Sequence, residues 1–303
     1  MDIKSKIILI AGPTASGKSS FAIKLSKKIK GEIINSDSMQ VYKQLKILTA
    51  RPNKIAQKKI VHHLYGFQSI DKKFSTGRWL KLSIQKIKEI KKKNKIPILV
   101  GGTGLYFKSL TDGLVKIPSI PIKIRNETRS LQKNIGQKKF YLKLLKLDPL
   151  AKDQINPNDS QRSIRAYEIK KFTKKSITQW VKKTKIIFDK DCFVKIYIDY
   201  PREDLLVKIK LRIDQMFKNG AINEVIKFNK LKIKKENSVN KVIGVEDIRK
   251  YLNGDYNIDE VKEKIYIKTR QYAKRQSTWA RGQMLSWQKI HPKDLISLLK
   301  KFK

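Results

Sequence analysis

The chain opens with an uninterrupted apolar run, Ile7-Ile-Leu-Ile10, closed at once by a glycine-bearing turn. A short solid run of this kind predicts a parallel strand buried on both faces. The period then changes. Phe21, Leu25 and Ile29 recur at helical spacing and predict a helix over 19–29. Glu32-Ile-Ile34 predicts a second strand, with Asn35-Ser-Asp-Ser38 at its carboxyl end. Arg51-Pro-Asn53 reads as a loop and 74–93 as a helix ending in lysines. Ile96-Pro-Ile-Leu-Val100 reads as a third strand that empties into Gly101-Gly-Thr-Gly104. Strand and helix in strict alternation predict an α/β fold with a doubly wound parallel sheet.

Beyond about residue 115 the pattern becomes helical. Residues 121–185 show helical spacing, many lysines and no strand signal. Val194-Lys-Ile-Tyr-Ile-Asp199 then predicts another core strand, followed by helices over 202–218, 220–231 and 258–286. The expected organisation is an α/β core of residues 1–115 and 192–303, interrupted by a helical insertion of residues 116–191. Lysine tracts such as Lys232 to Lys235 read as solvated loops. Trp279 and Trp287, eight apart in the last helical stretch, read as core residues rather than a stacking platform.

Composition narrows the setting. A chain of 303 residues, 40% of them hydrophobic, can bury a large core. It has no apolar run of the roughly 18 residues needed to cross a membrane. The apolar run at 7–11 passes straight into glycine-loop chemistry, unlike a secretory leader. The single Cys192 excludes an intramolecular disulfide and suits a reducing cytoplasm. With no apolar association surface legible, a monomer is expected. The formal net charge of +44 has two readings. A field of that size attracts polyanions. A lysine-, isoleucine- and asparagine-rich coding bias gives the same number without selection for nucleic acid. Charge alone leaves the two level.

The candidate chemistry starts at Gly12-Pro-Thr-Ala-Ser-Gly17-Lys18-Ser19, which fits G-x-x-x-x-G-K-[ST] between a strand and a helix. In such a loop glycines let backbone N–H groups turn inward onto phosphate oxygens, the lysine adds a point charge, and the Ser19 hydroxyl can ligate Mg2+. Most loops of this type bind ATP or GTP, so nucleotide binding and phosphoryl transfer are the default. Two further features qualify that. Asp37 stands where an open sheet places its chemistry, as a turn aspartate or as a proton acceptor. Gly101-Gly-Thr103-Gly104 allows close backbone approach to a ligand and offers a hydroxyl, or simply ends a strand. His62 and His63 have no Cys or His in sequence reach, which suits packing or orientation better than zinc.

These residues, taken with others in order along the chain, resemble the tRNA dimethylallyltransferase (tRNA isopentenyltransferase) family. The resemblance rests on the loop at 12–19, Asp37-Ser38 with Val41-Tyr42, Thr49-Ala50 with Pro52, His62-His63-Leu64, and Val100 to Phe107. It continues through Asn158-Asp159, Gln161-Arg162, Arg165-Ala166 and the run from Thr269 to Trp279. It implies transfer of a dimethylallyl group from dimethylallyl diphosphate to N6 of the adenosine 3′-adjacent to the anticodon, in tRNAs reading codons that begin with U. It further implies that Gly12, Pro13, Thr14, Ala15, Ser16, Gly17, Lys18 and Ser19 hold the diphosphate with Mg2+, with Arg212 as a second clamp. Asp37 would be the general base, with Thr103 near the leaving group. The tRNA-contacting positions implied are Asp37, Ser38, Met39, Gln40, Thr103 and Arg125, and the segment Gln161, Arg162, Ser163, Ile164 and Arg165. Helical spacing adds Arg270, Lys274 and Arg281 as a basic stripe for the anticodon stem-loop, with Arg275 beside it.

Leu48, where the family usually has glycine, points to a different loop path there. Val245 replaces a tyrosine, and the loop after Gly113 lacks a leucine-proline pair. Three other readings compete: a small-molecule kinase on the same loop, a prenyltransferase acting on free AMP, and a silent RNA-binding protein. The basic insertion and late basic helix argue against the first two.

Overall fold

The computed structural model describes all residues except 1, 2, 4, 54–59, 73, 183, 232, 234–236 and 303. It divides into two compact units, Met1–Thr111 with Phe188–Lys303, and Asp112–Ile187. In chain order the elements are β1 (Ile7–Ala11), α1 (Lys18–Lys28), β2 (Gly31–Asn35), β3 (His62–His63), α2 (Thr76–Lys92), β4 (Ile96–Gly101) and α3 (Gly104–Thr111). The second unit contributes α4 (Ile122–Leu147), α5 (Ser160–Thr173) and α6 (Ile177–Val181). The first unit then resumes with β5 (Phe193–Ile198), α7 (Arg202–Lys218), α8 (Ala221–Asn229), α9 (Val245–Leu252), α10 (Ile258–Gln283), β6 (Gln288–Ile290) and α11 (Leu295–Lys301).

The sheet of the first unit is parallel throughout, with strand order β3-β2-β4-β1-β5-β6. β1 lies between β4 and β5, in register Ile8 with Ile98 and Val194. Both faces are covered, which is why these strands read as solid apolar runs. On one face Ile8, Ile10, Ile98, Val100 and Ile196 pack against Phe21, Leu25 and Leu298. On the other, Trp79 of α2 stacks on Tyr106 of α3 at 4.2 Å and donates its indole N–H to the Asn35 carbonyl at 2.7 Å. That bond pins the carboxyl end of β2, where Asp37 follows. The loops after β1, β2 and β4 therefore open on one edge of the sheet, where such folds carry their ligands.

Several elements had no clear signal in the sequence. α9 is eight residues long, and β6 is a three-residue edge strand with two exposed positions. The last long helix ends at Gln283, not near 286, because Met284 leaves helical geometry just after Gly282, a weak helix former. Trp287 therefore sits beyond the helix, in the turn whose N–H bonds the Met284 carbonyl. It is buried edge-on against Phe107, as a core residue should be. In the second unit Gly136 breaks α4 with a φ of +74°. The Lys232 to Lys235 tract lies, except for Ile233, outside the described residues. Among the described residues no helix is long and apolar enough to cross a membrane.

Candidate active site

The phosphate loop is built by close approach. A Cβ on Gly12 would come within 2.8 Å of Ser16 Oγ and 3.2 Å of the Ile198 carbonyl, so only glycine fits under the turn. Gly17 takes φ +79° and starts α1 without a side-chain cap, leaving the first helical N–H groups facing outward. Ser16 Oγ is buried with no protein partner. Lys18 Nζ folds back onto the Pro13 carbonyl at 3.0 Å. Burial lowers the Lys18 amine to about 8; the nearby Asp37 carboxylate opposes this, and the Arg212 charge adds to it.

Arg212 comes from α7, nearly two hundred residues away, and donates from Nη1 to Thr14 Oγ1 at 2.8 Å. Burial lowers its pKa, while the Asp37 charge pulls it back up. Thr14, Lys18, Ser19, Asp37, Thr49 and Arg212 line one cavity of about 220 Å3. Because the free amine titrates near 8 and an anionic ligand needs the ammonium form, raising the pH above about 8 removes the charge that binds the ligand. Affinity for inorganic diphosphate should then fall by up to about tenfold per pH unit. Calorimetry across pH 7–9.5 measures the slope. Lys18→Arg, whose charge does not titrate in this range, should flatten it.

Asp37 shows how a turn aspartate and a proton acceptor can be the same residue. Its Oδ1 accepts from Met39 N at 2.8 Å and Gln40 N at 3.4 Å, closing the turn after β2. Asn35 fixes the turn from below, accepting from Asp37 N and donating to the Asp37 carbonyl. None of these bonds uses Oδ2. Thr103 accepts from Ser38 N at 3.0 Å and donates its own N–H to the Ser36 carbonyl at 3.2 Å. Gly101 is required there, since a Cβ would stand 2.1 Å from that same Ser36 oxygen. The Thr103 hydroxyl proton has no acceptor among these bonds. The β2 and β4 loops are thus locked together.

Two more cavities flank this centre. One, of about 290 Å3, runs from Asp37 and Arg212 to Leu48, Ile213, Met216 and Ile265. The other, of about 310 Å3, is walled by Thr103, Phe107, Tyr272, Gln276 and Trp279. Trp279 packs over Gly104 and faces this cavity half-buried, so its expected core role holds only in part. Burial, reinforced by the Asp37 charge, pushes the Tyr272 hydroxyl well up, so it stays a neutral donor at physiological pH. Tyr272 and Gln276 were not singled out from sequence, although both lie within the run from Thr269 to Trp279. Only the cations of that run had a spacing that stood out.

Leu48 is buried in the apolar cluster around α7 to α10, with its Cδ2 2.9 Å from where a Gly244 Cβ would be. Its loop hangs on Glu224, whose carboxylate accepts from Lys46 N and Ile47 N at 2.7 Å and Leu48 N at 2.9 Å. No sequence signal marked Glu224. Replacing it with alanine should cost roughly 2 kcal/mol, since three amides lose a charged acceptor. Glu224→Gln should cost less. Urea denaturation of the variants tests both.

The remaining candidates fall in three places. Ser38, Met39 and Gln40 continue the Asp37 turn, and Gln40 Nε2 is engaged by the Thr49 carbonyl at 2.9 Å. Arg270, Lys274 and Arg281 are exposed and line a cavity of about 540 Å3 with Asp199, Arg202 and Ser277. Arg275 instead faces the cavities beside Asp37 and Thr103. In the second unit Arg125 and Arg165 flank the buried Glu168, at 4.0 Å and 3.2 Å. Gln161 and Arg162 are exposed and Ile164 is half-buried. Ser163 is wholly buried, its hydroxyl donating to the Asp159 carbonyl and accepting from Gln137. Its side chain is therefore engaged within the unit, so any contact it makes with tRNA would come from its backbone or from its neighbours in the segment. His63 bonds Glu32 at 2.7 Å and His62 faces the Ile60 carbonyl, so both act locally at the sheet edge.

Comparison with known proteins agrees with this geometry. The model of the IPP transferase family matches residues 40–283. The tRNA dimethylallyltransferase of Pelagibacter ubique is 64% identical over 303 residues, covering 100% of this chain and 97% of that protein. That of Rickettsia massiliae is 45% identical, covering 93% and 78%. Among solved structures, the tRNA isopentenylpyrophosphate transferase of Bacillus halodurans superposes with a TM-score of 0.70 at 29% identity, covering 98% and 95%. A eukaryotic dimethylallyltransferase acting on tRNA reaches a TM-score of 0.81 at 29% identity, covering 96% and 75%. With the family model spanning most of the chain and a relative 64% identical along its whole length, the chain belongs to the IPP transferase family, that of the tRNA dimethylallyltransferases.

Proposed function

We propose that this protein transfers the dimethylallyl group of dimethylallyl diphosphate to N6 of the adenosine 3′-adjacent to the anticodon of tRNA. The observation that carries this reading is that Lys18, Arg212 and Asp37 line a single cavity, two cations and one carboxylate. The diphosphate lies in the loop from Gly12 to Ser19, against the backbone N–H groups, Ser16 Oγ, Lys18 and Arg212. The donor set suits Mg2+. Ser19 offers one hard oxygen at the cavity, and among the described residues no cluster of three His, Cys, Asp or Glu side chains competes for a metal. Mg2+ commonly takes few protein ligands and the rest from phosphate and water. When bound it would neutralise charge developing on the diphosphate.

The reaction is a substitution. The N6 lone pair forms a bond to C1 of the allyl group as the C1–O bond breaks, and the electron pair leaves with the diphosphate. Lys18, Arg212 and the loop amides stabilise that departing charge. An adenine amine is a weak nucleophile, so Asp37 Oδ2 takes the N6 proton as the new bond forms. Thr103, whose hydroxyl proton is not used in holding Ser38, would donate to the leaving oxygen. The apolar cavity of Leu48, Ile213, Met216 and Ile265 suits the hydrocarbon, and the cavity beside Trp279 suits a flat base. The adenosine must leave its stack to enter. Arg270, Lys274 and Arg281 in the first unit, and Arg125, Gln161, Arg162 and Arg165 in the second, would hold the phosphates of the stem-loop, in the cytoplasm where tRNA is modified.

Nucleoside mass analysis of tRNA incubated with the protein, Mg2+ and dimethylallyl diphosphate tests the reading. The expected product is N6-(dimethylallyl)adenosine beside the anticodon. Prenylation of free AMP as fast as of tRNA, or a requirement for ATP, would overturn it.

A further inference from the structure

We infer that Gln276 is a positioning residue that joins the diphosphate loop to the Thr103 turn through the two ends of its amide. Gln276 projects from α10 between loops that leave different strands. Its Oε1 accepts from Thr14 N at 2.8 Å, and its Nε2 donates to the Gly102 carbonyl at 3.0 Å. Both partners are main-chain groups, so the amide holds the course of each loop rather than a side chain on it. The fit is close, since a Cβ on Gly102 would lie 2.1 Å from Gln276 Nε2.

The brace continues on both sides. Thr14 also receives Arg212 on its hydroxyl. Thr103, one residue past Gly102, grips Ser38 N and the Ser36 carbonyl on either side of Asp37. One carboxamide thereby links the loop that cradles the leaving group to the turn that carries the proton acceptor. A carboxylate at the same place would accept from Thr14 N but repel the Gly102 oxygen, and leucine would leave both groups unpaired. Asparagine is one methylene too short to span them.

The kinetic meaning of the brace rests on the dimethylallyl-transfer reading. Substitution needs the amine, C1 and the leaving oxygen in line, and a misplacement near 1 Å can cost about 100-fold. The full-length Gln276→Leu and Gln276→Glu variants should therefore lose about 100-fold in kcat. KM for either substrate, and calorimetric affinity for inorganic diphosphate, should stay within about threefold, because the loop can still bind its ligand. A folded variant with kcat within about threefold of the parent, or one whose diphosphate affinity falls in proportion to kcat, would overturn the inference.

Amide hydrogen exchange gives a readout that needs no turnover. In the leucine variant protection at Thr14 and at Ser38 should fall together. In the glutamate variant, which keeps an acceptor for Thr14 N and loses only the Gly102 bond, protection should fall at Ser38, and unchanged protection at Ser38 in either variant would sink the brace. If the parent itself transfers no prenyl group to tRNA, that failure falls on the proposed function, and the exchange result still decides the role of Gln276. Should the leucine variant not fold, the isosteric glutamate variant is read in its place.

Discussion

Replacing Asp37 with asparagine is expected to cut prenyl transfer by about 10³-fold while leaving diphosphate and tRNA binding within a few-fold of the parent. Asparagine keeps the shape and keeps an oxygen for the amides of Met39 and Gln40, so the turn after β2 survives. What it lacks is a basic Oδ2. Positioned general bases contribute about 10²–10⁴-fold, and an adenine amine, which must lose a proton during substitution, stands to lose most of that. Asp37→Ala removes the turn acceptor as well, so it should lose the same activity and some stability too. Single-turnover transfer with saturating substrates, beside filter binding of tRNA, separates the effects. Full activity in Asp37→Asn would remove the carboxylate from the mechanism.

The second large effect is expected at Lys18. Lys18→Ala should lower kcat by about 10²–10³-fold and weaken inorganic diphosphate as well, since the ammonium meets charge in the bound state and still more as the bond breaks. Its burial sharpens the expectation. The amine is held where water screens it little, which is also why its proton is lost near pH 8 in the free protein. Arg212, which lines the same cavity and bonds the Thr14 hydroxyl, should partly compensate. The double variant with Arg212→Ala should therefore fall further than either single change. Product-inhibition constants for diphosphate, measured alongside kcat, show whether Lys18 acts on binding, on the departing charge, or on both.

The parts of the site that were legible in the sequence are those whose physics is local. A glycine that must avoid its own loop, a lysine one residue past a left-handed glycine, and a helix starting there all follow from neighbouring residues. The solid apolar runs of β1 and β4 announced a sheet covered on both sides. Asp37 was readable as a residue at a strand end, though its two carboxylate oxygens have different tasks that only hydrogen bonds reveal. Less legible were elements too short to stand out, such as the three-residue β6 and the eight-residue α9. Ser163 shows the same limit in a helix. It follows two exposed residues of a polar segment, yet it is turned wholly inward against Gln137.

By itself, then, the chain determined the phosphate loop at 12–19, the parallel α/β core around it, and through ordered motifs the family to which it belongs. Those depend on short spacings that any reader can count. The tertiary structure decided what surrounds the loop. Arg212 reaches Thr14, Gln276 reaches both Thr14 and Gly102, and Glu224 holds the loop at 46–48, each across more than 170 residues of chain. A hydrogen bond is set by distance and direction in space, and sequence spacing carries neither once the chain has left its own helix or strand.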